Sequence, residues 1–225
     1  MNVFITGAGR GIGLGFAQYY LNQGANVWAS YRADASLLKK IDNKNLTTVR
    51  WDITDNKSIS GSGVFPSAID ILINNAGVYG PNKEQGQSLE SIAAESMLSV
   101  FDVNCVGPIR VVQKLKDRVI AAKGKIVNIS SKMGSIEENS SGGCYAYRAS
   151  KAALVMVSKS MAIDMAPYGV RVLTLHPGWV RTDMTSHNGL ISVAETVAGM
   201  TRVIENIDQY SPGTFVSFDG KVIPY

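Results

Sequence analysis

The strongest constraint on this chain lies at its start. Asn2 to Thr6 (NVFIT) is a short apolar run, Gly7-Ala8-Gly9-Arg10-Gly11-Ile12-Gly13 follows it, and a helical pattern runs from Leu14 to Asn22. Strand, glycine turn and helix in that order are the context that gives a glycine motif structural meaning. The glycines allow a tight turn and a close approach of backbone to ligand, and a helix N-terminus favours a pyrophosphate. The spacing is GxxxGxG, at Gly7, Gly11 and Gly13, with no strict GxGxxG after the strand. A tight turn without any ligand would explain the glycines taken alone.

The rest of the chain repeats the alternation. Strand-like runs cover Ala25 to Tyr31, Leu46 to Trp51, Ile69 to Ile73, Lys125 to Ile129, Gly169 to Leu175 and Thr214 to Phe218. Helical patterns cover Leu89 to about Ala122, Tyr145 to Ala166 and Val193 to Glu205, and Lys221 to Tyr225 reads as an extended tail. Strands alternating with helices imply a parallel sheet covered on both faces. We expect an α/β fold, a Rossmann-type doubly wound sheet of order 3-2-1-4-5-6-7 in three layers. The 225 residues suit one domain spanning 1–225, since there is no repeat, low-complexity segment or linker. With 45% hydrophobic and 18% charged residues the chain can bury a sizeable core and is not disordered.

Charge and cysteine usage exclude further classes. The net charge of +4 comes from scattered Lys and Arg, which gives nucleic-acid binding no support and suits an anionic cofactor. Cys105 and Cys144 are far apart, so no disulfide framework is expected and a reduced, cytoplasmic setting fits. Two histidines and two cysteines cannot build a Cys/His zinc cluster. The first residues already read as a strand, so no signal peptide is expected. No run of 18 apolar residues exists, so no membrane span is expected.

The chemistry concentrates between Gly124 and Lys151, GKIVNISSKMGSIEENSSGGCYAYRASK. Tyr147 and Lys151 stand four apart at the start of a long helical pattern, so they share one face. A lysine beside a tyrosine favours the phenolate, and a tuned tyrosine can give a proton to an alkoxide or take one from an alcohol. Ser130 or Ser131, at the end of the preceding strand, can hydrogen-bond the same oxygen. Tyr79-Gly-Pro-Asn-Lys83 has the same spacing, but Gly80 and Pro81 forbid a regular helix there. Tyr145 is six residues from Lys151, about 240° around the helix, and faces elsewhere.

Other polar residues mark strand ends. After the second strand come Tyr31 and Arg32, with no acid before Asp34, where a dinucleotide fold places an acid on the adenosine ribose. Asp52 ends the third strand, and Asn74-Asn75-Ala76-Gly77 ends the fourth. Asn104 is an odd polar residue among Val103, Cys105 and Val106, which an interhelical hydrogen bond would also explain.

Together these stretches resemble the short-chain dehydrogenase/reductase family over essentially the whole chain. The resemblance rests on TGAGRGIG (Thr6 to Gly13), Asp52, NNAG (Asn74 to Gly77), Asn104, ISS (Ile129 to Ser131), YRASK (Tyr147 to Lys151) and PGWVRT (Pro177 to Thr182). Within the family, the stretch from Ser130 to Leu154 looks like the C-factor and sniffer-type carbonyl reductase branch. The resemblance implies Tyr147 as general acid/base and Lys151 as the residue that lowers its pKa and binds the nicotinamide ribose. It implies Ser131 on the substrate oxygen and Asn104 anchoring a relay water. Gly7, Gly11, Ile12 and Gly13 would line the pyrophosphate turn, and Asp52 would meet the adenine edge. Asn74, Ala76 and Gly77 would pack along the cofactor, and Pro177, Gly178, Val180 and Thr182 would cover the nicotinamide.

The loop before Tyr147 is longer than the family's usual one, so counting back from Tyr147 makes Ser135 a rival to Ser131. Ser131 is preferred because it follows the strand directly. Arg32, with Arg10 in the glycine turn nearby, suits the extra phosphate of NADPH, so the expectation is an NADPH-dependent carbonyl reductase acting on a small-molecule ketone or aldehyde. An NAD-linked alcohol dehydrogenase and a cofactor-binding signalling protein are the alternatives. The family's members often pair through the helices at Leu89 and Tyr145, so a homodimer is expected.

Overall fold

A computed structural model of the protein describes residues 1–60, 65–81 and 86–225, apart from the side chain of Ser60. Lys83, and with it the Tyr79–Lys83 spacing and part of the turn-rich 80–88 segment, lies outside the described residues. The strands are β1 (Asn2–Ile5), β2 (Asn26–Tyr31), β3 (Leu46–Arg50), β4 (Ile71–Asn74), β5 (Lys125–Ile129), β6 (Arg171–His176) and β7 (Phe215–Ser217). The helices are α1 (Gly11–Asn22), α2 (Asn56–Ser60), α3 (Ala94–Phe101), α4 (Gly107–Ala122), α5 (Tyr145–Met165) and α6 (Val193–Glu205). Among the described residues the strands form one sheet of order β3-β2-β1-β4-β5-β6-β7, and every pairing between them is parallel.

The sheet's apolar runs serve two cores at once. Val3, Ile5, Ile71, Ile73, Val127, Ile129, Leu173 and Leu175 point to one face, where α1 and α6 bring Phe16, Ala17, Met200 and Ile204. Their neighbours Phe4, Leu72, Ile126 and Val172 point to the other, against Val111, Leu115 and Val119 of α4 and Ala162 of α5. This is the two-residue alternation of a strand buried on both sides. Each such side chain contributes about 1.5–3 kcal/mol on burial.

The strand order reverses between β1 and β4, and a crevice opens at the carboxyl ends of strands around such a switch point. The β1–α1 turn is pinned there. Thr6 Oγ1 accepts from the main-chain N–H groups of Asn75 and Ala76, at 3.0 Å each. Gly7 has φ +66°, and a Cβ on it would stand 2.7 Å from Ala76 Cα. A Cβ on Gly13 would strike the Gly7 carbonyl.

Two elements differ from the sequence expectation. The helical region expected from Leu89 begins at Ala94, because Ser88 and Ser91 close a turn and Ala93 is extended, at φ −88° and ψ 143°. It is also interrupted by a π-helical turn at Asp102–Val106, which carries Asn104. Short α2 was not foreseen, since five residues (NKSIS) show no apolar period. Among the described residues no helix is long and apolar enough to cross a membrane.

Candidate active site

Helix α5 brings Tyr147 and Lys151 to one buried face, leaving them 8% and 5% exposed. Lys151 Nζ lies 5.8 Å from the centroid of the Tyr147 ring. Tyr145 faces away and is 40% exposed. The three serines take different roles. Ser130 Oγ donates to the Lys151 carbonyl at 2.9 Å and ties β5 to α5. Ser131 hydrogen-bonds the Tyr147 phenol and accepts from the Met133 N–H at 3.2 Å. Ser135 is buried and accepts from the Glu138 N–H, so its hydroxyl serves the loop itself.

Electrostatics in the site follow burial. Burial pushes the Tyr147 phenol above its ordinary value, and the Ser131 hydrogen bond opposes part of that rise. Lys151 is lowered to about 8 by burial. Its ammonium donates to the Ile129 carbonyl at 2.9 Å rather than to the phenol. The phenol is thus protonated at neutral pH, which is the state of a proton donor.

Asn104 is fully buried in the π turn. Its Oδ1 accepts from the Val78 N–H at 2.8 Å, and its Nδ2 donates to the Val78 carbonyl at 2.8 Å and to Ser150 Oγ at 3.0 Å. Both amide hydrogens are therefore committed, one of them to α5. Pro108 has no N–H to offer the Asn104 carbonyl four residues back. Gly77 joins the same cluster: a Cβ there would stand 3.1 Å from Asn104 Oδ1 and 3.4 Å from Lys151 Nζ.

A cleft of about 710 Å³ opens beside the phenol. Ile12, Tyr79, Met133, Trp179, Thr182 and Met184 contribute to its walls, with Pro177, Gly178 and Val180 lining it from the segment after β6. Gly11 faces Thr182, since a Cβ on it would lie 3.6 Å from Thr182 Cγ2. Gly178 adopts φ +84°, and Val180 is held by a bridge to Ile191. The glycine turn and the β6 segment therefore form opposite walls of one crevice.

The remaining residues divide. Ala76 packs on Gly7. Asn74 is 2% exposed and donates to Asn128 Oδ1 at 2.8 Å, so its side chain faces the sheet interior. Asn75 is the one turned to the glycine turn, donating to the Thr6 carbonyl at 3.0 Å and the Gly7 carbonyl at 3.2 Å. Arg10 is exposed and pairs with Asp183 at 3.2 Å, across the crevice mouth. Arg32 is exposed at the end of β2, and Arg50 Nε donates to its carbonyl at 3.4 Å. Partial burial opposes ionisation of Asp52, but hydrogen bonds from Thr54 and the charges of Arg32 and Arg110 hold the carboxylate low.

Sequence reasoning missed Asn75, Arg50 and His176. Arg50 stands opposite Tyr31 across β2 and β3, a register that the strand runs alone do not give. His176 lines the cleft and is lowered to about 4 by burial, with Lys132 adding to the shift, so its imidazole is neutral. Nothing in its sequence context marks it.

Comparison with known proteins agrees with this architecture. Residues 1–190 match the family model described as short chain dehydrogenase. C-signal of Myxococcus xanthus is 36% identical over 165 residues, covering 73% of this chain and 97% of that protein. The carbonyl reductase Sniffer of D. melanogaster superposes with a TM-score of 0.91 at 28% identity, over 100% of this chain and 99% of its own. An NADPH-bound carbonyl reductase from chicken fatty liver gives 0.88 at 31% identity, over 100% of this chain and 98% of its own. The chain belongs to the short-chain dehydrogenase/reductase family of oxidoreductases, in the branch of C-signal and the Sniffer-type carbonyl reductases.

Proposed function

We propose that the chain is an NADPH-dependent carbonyl reductase acting on a ketone or aldehyde. The observation that carries this reading is the Tyr147 phenol, buried on the same face of α5 as Lys151 and hydrogen-bonded to Ser131 beside an open cleft. The cleft fits a dinucleotide. The N-terminus of α1 opens on the strand switch point, after a turn without side chains at Gly7, Gly11 and Gly13, and Arg32 and Arg50 stand together at the carboxyl ends of β2 and β3. A related carbonyl reductase, that of chicken fatty liver, binds NADPH.

When bound, NADPH supplies the hydride that converts the carbonyl carbon to an alcohol carbon. The chain's own residues do the rest. Ser131 and Tyr147 hold the carbonyl oxygen, and Tyr147 Oη gives it a proton as charge develops. The Lys151 ammonium stabilises the phenolate that remains. Asn104 anchors the water that returns the proton, through the main-chain carbonyl to which Pro108 cannot donate. Gly7, Gly11, Ile12 and Gly13 would line the pyrophosphate, Asp52 would meet the adenine edge, Ala76 and Gly77 would flank the cofactor, and Pro177, Gly178, Val180 and Thr182 would cover the nicotinamide. Arg32 would read the ribose phosphate, with Arg10 in the turn nearby.

A second reading, a cofactor-binding signalling protein, draws on the identity with C-signal. One assay separates them: NADPH oxidation with a panel of diketones, quinones and aldehydes. Turnover that Tyr147→Phe abolishes supports the reductase. Tight NADPH binding with complete silence toward the panel would favour the signalling reading instead.

A further inference from the structure

Helix α5 starts without a side-chain cap of its own. Its N-cap, Cys144, sits in the left-handed region at φ 50° and ψ 40°, and makes no side-chain cap hydrogen bond. The first N–H groups of a helix have no intrahelical partner, and Tyr147 is the third residue of this one. A residue from a distant loop serves two of them. Gln87 Oε1 accepts from the Tyr147 N–H at 3.0 Å, and the Gln87 carbonyl accepts from the Tyr145 N–H at 3.2 Å. The amide's other end is also used, since Nε2 donates to the Tyr79 carbonyl at 3.1 Å. A Cβ on Gly80 would stand 2.7 Å from that nitrogen, so the neighbouring glycine leaves the room it needs.

Tyr79 in turn packs on the phenol. Its ring centroid is 4.9 Å from that of Tyr147, and its hydroxyl lies 2.9 Å from Cys144 Sγ. One amide side chain thus joins the first turn of α5, the residue that carries the phenol and the aromatic wall of the cleft.

We infer that Gln87 is a positioning residue for Tyr147: it caps α5 from outside and fixes Tyr79 against the phenol. This rests on the reductase reading above. A helix of 21 residues with a buried face does not depend on one cap for its existence. Loss of the cap therefore falls on the first turn, where the reacting oxygen is aimed, and small misplacements of a reacting group cost rate steeply.

The experiment compares the unmodified protein with Gln87→Ala and Gln87→Glu, using NADPH with phenanthrenequinone or nitrobenzaldehyde. Steady-state kinetics across pH, thermal unfolding, and hydrogen exchange of the peptide that begins at Tyr145 are measured together. Gln87→Ala lowers kcat by about tenfold, the scale of one lost cap. It speeds exchange in the first turn of α5 and leaves the rest of the helix protected. Gln87→Glu keeps an acceptor for the Tyr147 N–H, so it restores slow exchange. Its added negative charge disfavours the phenolate, so the alkaline limb of the reduction profile moves to higher pH.

An active protein whose kcat and α5 exchange are indifferent to Gln87→Ala overturns the inference. So does an active protein in which both variants lose kcat only in step with a fall in melting temperature, with no movement of the pH limb. Silence of the unmodified protein toward both carbonyl probes is a different failure: it removes the reductase reading, and the inference with it.

Discussion

Lys151 donates its ammonium Nζ to the main-chain carbonyl of Ile129 at 2.9 Å, reaching from α5 to the last residue of β5. A charge so deeply buried is costly, and its pKa falls from 10.5 to about 8. The folded value lies below the unfolded one, so the unfolded chain holds more protons between them. Stability therefore rises as pH climbs from about 8 toward 10.5. At roughly 1.4 kcal/mol per unit the full effect is about 3 kcal/mol. Lys151→Met removes the charge while keeping the volume. It should remain folded, lose that pH-dependent gain relative to the unmodified protein, and lose turnover by about a hundredfold or more. Melting temperatures at neutral and alkaline pH, with kinetics alongside, check this. A Lys151→Met variant with the same alkaline gain would place the titration elsewhere.

Tyr147→Phe should lose at least about a hundredfold in turnover, the low end of general acid catalysis, with cofactor binding retained. Tyr145→Phe should cost little, since that residue is 40% exposed and its N–H, not its phenol, bonds Gln87. Tyr79→Phe gives up the contact with Cys144 Sγ but keeps its ring on Tyr147, so a few-fold loss is expected. Turnover and cofactor titration on the three variants decide the matter. Equal losses at Tyr145 and Tyr147 would mean that the wrong phenol has been assigned.

The serines separate by what their hydroxyls touch. Ser131→Ala removes the group bonded to the phenol and should depress kcat by about a hundredfold. Ser130→Ala removes a tie between β5 and the Lys151 carbonyl, so its effect should appear as about 1 kcal/mol of stability. Ser135→Ala should alter neither strongly. Should Ser135→Ala be the crippled variant, the loop before α5 would have to fold back in the working enzyme.

How much of this was legible in the sequence depended on the range of the signal. The sheet was, because strands buried on both faces give continuous apolar runs and the glycine turn fixes where the first crossover begins. The pairing of Tyr147 with Lys151 was, because four residues make one helical face. The break at Asn104 was seen only as a misplaced polar residue. A π turn has no composition of its own, and the contacts Asn104 makes from it, with Val78 and Ser150, are distant in sequence. Asn74 and Asn75 could not be told apart, since which of two adjacent residues faces the turn depends on where β4 ends. Gln87 was invisible for a stronger reason. Its hydrogen-bond partner is 60 residues away, and no local pattern announces it.

Cofactor choice is the prediction that depends most on charge. NADPH differs from NADH by one phosphate on the adenosine ribose, where an acid at the end of β2 would repel it. This chain places Arg32 there, and Arg50 Nε on its carbonyl brings a second guanidinium to the same edge. The next acid along the chain, Asp34, is turned to its own loop: it accepts from the Ser36 N–H at 2.8 Å and from Ser36 Oγ at 3.0 Å. A guanidinium grips phosphate through a planar fork, and a charge-assisted hydrogen bond is worth roughly 1.5–3 kcal/mol. At about 1.4 kcal/mol per decade, one such contact gives roughly ten- to hundredfold discrimination. NADPH should therefore exceed NADH by at least about tenfold in kcat/KM. Arg32→Ala should erode that margin through weaker NADPH binding, with little change for NADH. Arg50→Ala should erode it less, because its guanidinium reaches the edge by way of Arg32. Steady-state kinetics with both cofactors measure all three. Equal efficiency in the unmodified enzyme, or a full preference surviving Arg32→Ala, would mean that the phosphate is read elsewhere, with Arg10 the next residue to test.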